Sequence, residues 1–200
     1  MKRLASFIVA LGIFTLVAGS THNSPVGQEL AFMRGFMGRV NPAIMIEDQG
    51  CAFGLPQAIL KTATSTRLDW IDIFTLAWQE SDFDCHAKNK KDRGGAFGPY
   101  QIRRLWQPVV GDPRYRYYDP SLATHRVGIV LTYFRDTPRF SQLVERGFKN
   151  PLLCLYNSGE PNRVNMRYCR DVGRKARLIR DAWERFQALP QGDFQVVVQR

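Results

Sequence analysis

The sequence has few of the residue patterns that hold metal ions. Its three histidines are far apart, its four cysteines include no C-x-x-C pair, and no H-E-x-x-H segment occurs. Because zinc sites are built from such closely spaced ligands, we expect no metal, and we expect no other cofactor. The sequence also lacks internal repeats and low-complexity tracts, which argues against a repeat protein or a disordered linker. The histidines are His22, His86 and His125.

Residues 4–17 form an apolar run that is too short for a typical membrane span. Lys2 and Arg3 precede it, and residues 18–20 (Ala-Gly-Ser) supply the small side chains of a cleavage site. This pattern predicts a signal peptide over residues 1–20; a lipoprotein would need cysteine in place of Ser20. We therefore expect export to the periplasm or cell envelope, with no stable membrane insertion after cleavage. The alternative is an uncleaved anchor helix.

Export gives the four cysteines a specific meaning, because disulfides persist in oxidising compartments. An even number of cysteines predicts two bonds, although four cysteines allow three pairings. Cys154 and Cys169 flank a short predicted turn and would close a small loop. We therefore expect the pairs Cys154–Cys169 and Cys51–Cys85.

Acidic residues are scarce, with 18 Asp and Glu against 28 Lys and Arg, so the formal charge is +10. Removing Lys2 and Arg3 with the signal peptide would leave +8. A basic surface attracts polyanions such as nucleic acids, anionic lipids and acidic wall polymers. A run of charge on a helix is usually a solvated face, and export argues against a nucleic acid partner. The late basic residues are Arg163, Arg167, Arg170, Arg174, Lys175, Arg177, Arg180 and Arg185.

The spacing of apolar residues predicts a mainly helical single domain. Hydrophobic residues make up 44% of the chain, which is enough to build a core. Asp69 is the expected N-cap of a helix over 70–81, and Asp119 that of a helix that ends at Pro138. Residues 82–95 are polar and predict a loop with room for a small hairpin. Further helices are predicted over about 29–37, 55–65 (beginning near Pro56), 140–146, 151–157 and 164–187.

Three separated motifs follow one another in the chain. Glu80-Ser81 ends the apolar helix, Gly95-Ala96-Phe97-Gly98-x-x-Gln101-Ile102 follows, and Leu155-Tyr156-Asn157-Ser158-Gly159 precedes Tyr168. This ordered set resembles the soluble lytic transglycosylase family, which has the goose-type lysozyme fold, over about residues 66–185. The chain departs from the family at Pro99-Tyr100, where an aliphatic residue and often Met stand, and at Ser158, where Ala is usual.

The resemblance implies a mainly α, lysozyme-like domain with a substrate cleft. Together with the predicted signal peptide (1–20), it divides the chain into a mature N-terminal helical segment (21–65), a catalytic domain (66–187) and a C-terminal tail (188–200). It also implies cleavage of peptidoglycan glycan strands between N-acetylmuramic acid and N-acetylglucosamine, leaving a 1,6-anhydromuramoyl end. Small enzymes of this kind often open the wall for secretion, conjugation or pilus machinery, and that partner is an expectation by analogy alone.

Glu80 is the expected catalytic acid and base. A general acid must keep its proton near neutral pH, and an apolar neighbourhood favours the protonated form. We expect Trp78, Phe83 and Phe97 to supply that neighbourhood. In the family, the ionised residue then accepts the proton of the muramoyl 6-hydroxyl, so that no second carboxylate is obligatory.

The remaining motif residues are predicted to position substrate. Ser81 matches a family position that hydrogen-bonds near the acid, and Gly98 lets the backbone approach a sugar ring. Gln101 offers an amide that donates and accepts. We expect Tyr100 to form a stacking wall, and Tyr168 to pack in the core. Tyr156 and Asn157 are predicted to contact substrate, with core packing as the alternative for Tyr156.

Two other functions remain open at this point. If Asp82, Asp84 or Asp92 lay across the cleft and oriented a water, the enzyme would be a lysozyme-type hydrolase, used as a toxin or endolysin. Carboxylates in a polar loop are more often simply solvated. The other alternative is a non-catalytic glycan-binding scaffold, against which Glu80 argues, because a binder needs no protonatable group in an apolar pocket.

Overall fold

The computed structural model of the protein describes residues 24–89, 95–103, 106, 110, 118–156 and 165–189. The predicted signal peptide, Asn157 and most of the predicted tail lie outside the described residues. The described residues form a mainly helical structure with a small sheet. In chain order its helices are α1 (Pro25–Val40), α2 (Pro42–Glu47), α3 (Gln49–Thr66), α4 (Trp70–Ser81), α5 (Pro120–Arg135), α6 (Pro138–Glu145), α7 (Pro151–Tyr156) and α8 (Met166–Gln187).

A three-stranded antiparallel sheet follows α4; its first strand lies in the loop predicted over 82–95, and the other two strands come after it. Its strands are β1 (Lys88–Asn89), β2 (Ala96–Phe97) and β3 (Ile102–Arg103), in the order β1-β2-β3. Phe97 pairs with Lys88 on one side and with Ile102 on the other. The sheet therefore places the second motif directly after the end of α4.

The predicted helix starts at Asp69 and Asp119 are confirmed. The Asp69 carboxylate accepts from the Ile71 N–H at 2.9 Å, and that of Asp119 from the Leu122 N–H at 2.7 Å. Each side chain thus satisfies one of the N–H groups that a helix leaves unpaired at its start. Helix α8 begins two residues later than predicted, at Met166, and ends at Gln187 as expected.

Other predicted boundaries were wrong, and the first of these is the start of α3. This helix begins at Gln49, where Asp48 caps the Cys51 N–H at 2.9 Å, and Pro56 lies buried in its interior. A proline inside a helix removes one backbone hydrogen bond, and burial of the surrounding apolar residues offsets that loss.

Helix α1 extends beyond the predicted 29–37, because Ser24 caps it at the Gly27 N–H and Pro25 fits its first turn. Pro138 comes after the end of α5, and it is also the first residue of α6, whose N-cap is Thr137.

One part of the core is formed where α1, α4 and α8 meet through aromatic side chains. The Phe32 and Trp183 rings lie 5.2 Å apart, and those of Phe36 and Phe74 lie 5.6 Å apart. Trp70 meets Trp183 edge to face at 5.6 Å. The N-terminal helical segment therefore shares one core with the region predicted as catalytic.

Both predicted disulfides are present. Cys51 is bonded to Cys85 and joins α3 to the loop after α4, with 5.9 Å between the Cα atoms. Cys154 is bonded to Cys169 and joins α7 to the first turn of α8, at 4.6 Å. Such bonds are typical of exported proteins in oxidising environments. In the part of the chain that the structure describes, no helix is both long and apolar enough to cross a membrane.

Candidate functional site

Glu80 lies in the last turn of α4, where a buried helix reaches the surface. The side chains of Ile73, Phe74 and Leu76 are fully buried, while that of Glu80 is partly exposed. Asp82 ends the helix in the left-handed conformation (φ 52°), and its N–H donates to the Trp78 carbonyl. The predicted apolar helix is thus confirmed, with its carboxylate at the end that reaches the surface.

The Glu80 carboxylate is held by a tyrosine from a distant part of the chain. The Tyr168 hydroxyl donates to Glu80 Oε1 at 2.6 Å. Burial raises the pKa of Tyr168 well above its ordinary value; the charge and hydrogen bond of Glu80, and Tyr156 nearby, raise it further, while Arg103 lowers it. The phenol therefore stays protonated at physiological pH and is the donor in this bond.

Tyr168 is held in place by its own helix start and by a disulfide. The Asn165 side chain caps the first turn of α8 and accepts from the Arg167 and Tyr168 N–H groups. The adjacent Cys169 is bonded to Cys154 of α7. Helix α7 also carries Tyr156, which lies within electrostatic reach of Tyr168. The disulfide thus joins the third motif to the tyrosine that binds the acid.

The expectation of simple core packing for Tyr168 was incomplete, because its ring is buried but its hydroxyl reaches Glu80. The sequence contained one signal for this contact. Tyr168 precedes Cys169, and the predicted bond to Cys154 brings residue 168 close to the third motif.

Ser81, Gly98 and Gln101 come together beside Glu80 in one hydrogen-bonded turn. The Ser81 hydroxyl lies 2.9 Å from the Pro99 carbonyl and 3.2 Å from the Ala77 carbonyl, and donates to one of them at a time. Gly98 has φ 73°, a backbone conformation that favours glycine, and its N–H donates to the Ala87 carbonyl. This turn therefore fixes the second motif against the end of α4.

The Gln101 side chain supports the same turn from within. Its amide nitrogen lies 2.9 Å from the Gly98 carbonyl and 3.2 Å from the Ala87 carbonyl. The two donor hydrogens of the amide thus hold the backbone. Contact between Gln101 and a sugar stays a prediction, and it would have to use the amide oxygen while these bonds persist.

Tyr100 lies in the core, not in the wall of a cleft. Its side chain is 0% exposed, and its hydroxyl lies 3.1 Å from that of Thr124 in α5. Burial raises the pKa of Tyr100. The turn at Pro99 points the ring inward, so no aromatic face is available for stacking in this conformation. Tyr156, also buried, donates to the Tyr100 carbonyl at 2.7 Å and holds that turn from α7.

The three aromatic residues expected around Glu80 have other neighbours. Phe83 is fully buried and stacks on Phe74 at 4.7 Å in the core. Trp78 lies under the Lys175 ammonium, and Phe97 lies beside Tyr118. The aromatic side chain whose polar group binds Glu80 is Tyr168, so hydrogen bonding contributes to this environment as well as burial.

The candidate second acids have other structural roles. The Asp82 carboxylate lies 3.8 Å from Lys175 Nζ, and that of Asp84 accepts from the His86 N–H at 2.7 Å. Asp92 lies outside the described residues. Asp82 is thus an ion-pair partner and Asp84 a turn-forming residue.

A groove of about 580 Å³ lies between α3 and the start of α5, away from Glu80. Its two carboxylates, Asp48 and Asp119, cap these helices, and the His86 ring that pairs with Asp48 is largely exposed. Asp48 also approaches Cys51 and Cys85, but these two sulfurs form a disulfide and are not thiolate ligands for a metal. The buried-helix carboxylate at Glu80 is therefore the better candidate for acid–base chemistry.

Comparison with known proteins gives no match to a protein-family model, a curated protein or a solved structure. The support for a function therefore comes from the chain's own residues and their geometry.

Proposed function

We propose that the protein is an exported peptidoglycan lytic transglycosylase with a lysozyme-like fold and with Glu80 as its single acid and base. The observation that carries the proposal is the 2.6 Å hydrogen bond from Tyr168 to Glu80 at the end of a buried helix. It joins the first motif to the region that follows the third, while Ser81 joins the first to the second. The first two motifs and Tyr168 are thus neighbours around one carboxyl group, and Tyr156, in the described part of the third motif, donates to the Tyr100 carbonyl of the second.

The chemistry requires one proton to leave Glu80 and return. The protonated Glu80 donates to the glycosidic oxygen between N-acetylmuramic acid and N-acetylglucosamine, and the C1–O bond breaks with its electron pair on the leaving sugar. The muramoyl 6-hydroxyl then bonds to C1 and gives its proton to the Glu80 carboxylate. No water is consumed, and the enzyme returns to its starting state.

Tyr168 suits both halves of this reaction. Its hydroxyl binds Oε1, an atom that accepts a hydrogen bond whether the carboxyl group is protonated on the other oxygen or ionised. The bond therefore orients the carboxyl group without taking the proton that it must transfer. The two disulfides support a periplasmic or cell-envelope location. Service to a secretion, conjugation or pilus apparatus is proposed by analogy alone.

Digestion of purified peptidoglycan tests the proposal, with the muropeptides analysed by mass spectrometry. The mature protein is expected to release fragments with anhydro ends, each one water lighter than the hydrolysis product. Glu80→Gln keeps the size of the side chain but removes its acid, and is expected to lower the rate on the order of 10³-fold. Glu184→Gln, at an exposed position of α8, is the matched control and should keep the wild-type rate.

Three results would contradict parts of the proposal. Reducing ends would indicate a hydrolase, and undiminished cleavage by Glu80→Gln would remove Glu80 from the mechanism. Binding of glycan without cleavage by the wild type would favour the scaffold.

A further inference from the structure

Lys175 of α8 is a mostly buried cation that lies against the C-terminal end of α4, the helix that carries Glu80. It lies two helical turns after Tyr168, so both side chains project from the same side of α8. Its Nζ donates to the Trp78 carbonyl at 3.0 Å and lies 4.6 Å from the centre of the Trp78 indole. Only 16% of the side chain is exposed. The ammonium therefore binds the last turn of α4, where the negative end of the helix dipole favours a positive charge.

This position couples Lys175 to Glu80 electrostatically. Burial lowers the pKa of Lys175, and the carboxylates of Asp82 and Glu80 oppose that effect. Because Coulomb interaction is mutual, the ammonium favours the ionised form of Glu80 as much as Glu80 favours the ammonium. In the described part of the chain, further charged groups near these two are Arg174 and Asp171 on α8, and Arg103 near Tyr168.

Stability alone gives a weak reason to keep a lysine here. Removing an ammonium from water is costly, and an apolar side chain of similar length would fill the same space at no such cost. Arg180 already joins α8 to the start of α4, through Asp69 at 2.8 Å and Asp72 at 3.5 Å. The charge of Lys175 is instead placed where Glu80 must change its ionisation state.

We propose that Lys175 is a positioning residue for Glu80, holding the last turn of α4 and stabilising the carboxylate that receives the proton of the 6-hydroxyl. This inference rests on the proposed function. In the first step, the proton on Glu80 acts as the acid. In the second step, the ammonium of Lys175 stabilises the Glu80 carboxylate that acts as the base.

The test compares Lys175→Met, which keeps the length and loses the charge, with Lys175→Arg, which keeps the charge. Without the ammonium, Glu80 holds its proton to higher pH, so the alkaline limb of the kcat/KM profile on peptidoglycan should move upward by roughly half a pH unit. We also expect kcat to fall on the order of tenfold with KM little changed, because Lys175 positions the acid and not the substrate. Lys175→Arg should keep the alkaline limb in place. Lys61→Met, at an exposed position of α3, is the matched control.

A lower melting temperature of Lys175→Met with an unmoved alkaline limb would show that Lys175 is only structural, and would overturn the inference. If the wild type cleaves no peptidoglycan, the proposed function fails separately. Titration of the ¹³C-labelled Glu80 carboxyl group by NMR then decides the coupling. A midpoint at higher pH in Lys175→Met supports it, and an unchanged midpoint refutes it.

Discussion

Two helix pairs in this protein are joined in different ways. In the α3–α5 seam, α3 packs against α5 so closely that a β-carbon on Gly128 would lie 2.5 Å from the Thr62 methyl group. In the α4–α8 seam, polar connections are added to the packing of Trp70 on Trp183. They run from Tyr168 to Glu80, from Lys175 to the Trp78 carbonyl, and from Arg180 to Asp69 and Asp72. The first seam fixes a distance between backbones. The second holds charged groups in a fixed orientation, which is what the proposed catalytic acid requires.

The largest stability effect is expected in the α3–α5 seam. Gly128→Ala places a methyl group against Thr62, a stiff β-branched side chain that is 4% exposed, and should lower the free energy of unfolding by about 3 kcal/mol. Urea unfolding measures this loss. Gly35→Ala is the matched control, because nothing lies within 4 Å of its added methyl, and it should raise stability by about 0.5–1 kcal/mol.

A second substitution tests whether steric crowding causes the loss of stability in Gly128→Ala. Thr62→Ser removes the methyl group that Gly128→Ala meets and keeps the hydroxyl. Added to Gly128→Ala, it should restore much of the lost stability. If Gly128→Ala and Gly35→Ala are equally stable, α3 and α5 can move apart at little cost. Close backbone packing would then no longer distinguish the α3–α5 seam from the α4–α8 seam.

The next largest effect is a pH dependence in the α4–α8 seam. Burial, and then the neighbouring Asp69, raise the pKa of Asp72 to about 6, although Arg180 lowers it. A carboxyl group whose pKa is higher in the folded state than its usual 3.8 stabilises the fold fully below that value. That contribution is lost as the pH rises through about 6. Between pH 4 and pH 7 the loss in the free energy of unfolding should amount to about 2 kcal/mol.

Asp72→Asn isolates this contribution, because it keeps the shape and cannot ionise. Unfolding free energies of the variant and the wild type at acidic and neutral pH give the difference. The wild type should lose more stability on going to neutral pH than Asp72→Asn does. Asp181→Asn, at an exposed position of α8, should behave like the wild type. If Asp72→Asn also behaves like the wild type, Arg180 fully compensates the burial of Asp72.

Local patterns in the sequence predicted most of the helices and both disulfides. Capping by Asp69 and Asp119 depends on a few neighbouring residues, so it can be recognised from the sequence. The start of α3 was missed because Pro56 suggested a boundary, whereas burial on both sides of the proline carries the helix through it. Local propensity is a weak guide where tertiary packing decides.

The candidate site was predicted only in part, for a related reason. Glu80 could be predicted as a candidate because an isolated acid at the end of an apolar helix is a local feature. Its partner Tyr168 lies 88 residues away, and the pairing depends on how α8 packs against α4. The inward direction of Tyr100 likewise depends on Thr124 of α5. Spacing within the second motif contains no information about that contact.

The smallest effect, and the most informative about the comparison, is expected from Tyr168→Phe. The ring still fills the buried site, but Oε1 of Glu80 loses its donor. Kcat for peptidoglycan cleavage should fall by about tenfold, since a hydrogen bond to a charged group contributes roughly 1.5–3 kcal/mol and water replaces part of it. Tyr133→Phe, at an exposed position of α5, should keep the wild-type rate. If Tyr168→Phe instead lowers the melting temperature and leaves kcat unchanged, the hydrogen bond to Glu80 serves only to join two helices. The α4–α8 seam would then be structural in the same sense as the α3–α5 seam, and the orientation of Glu80 would have to come from another neighbour.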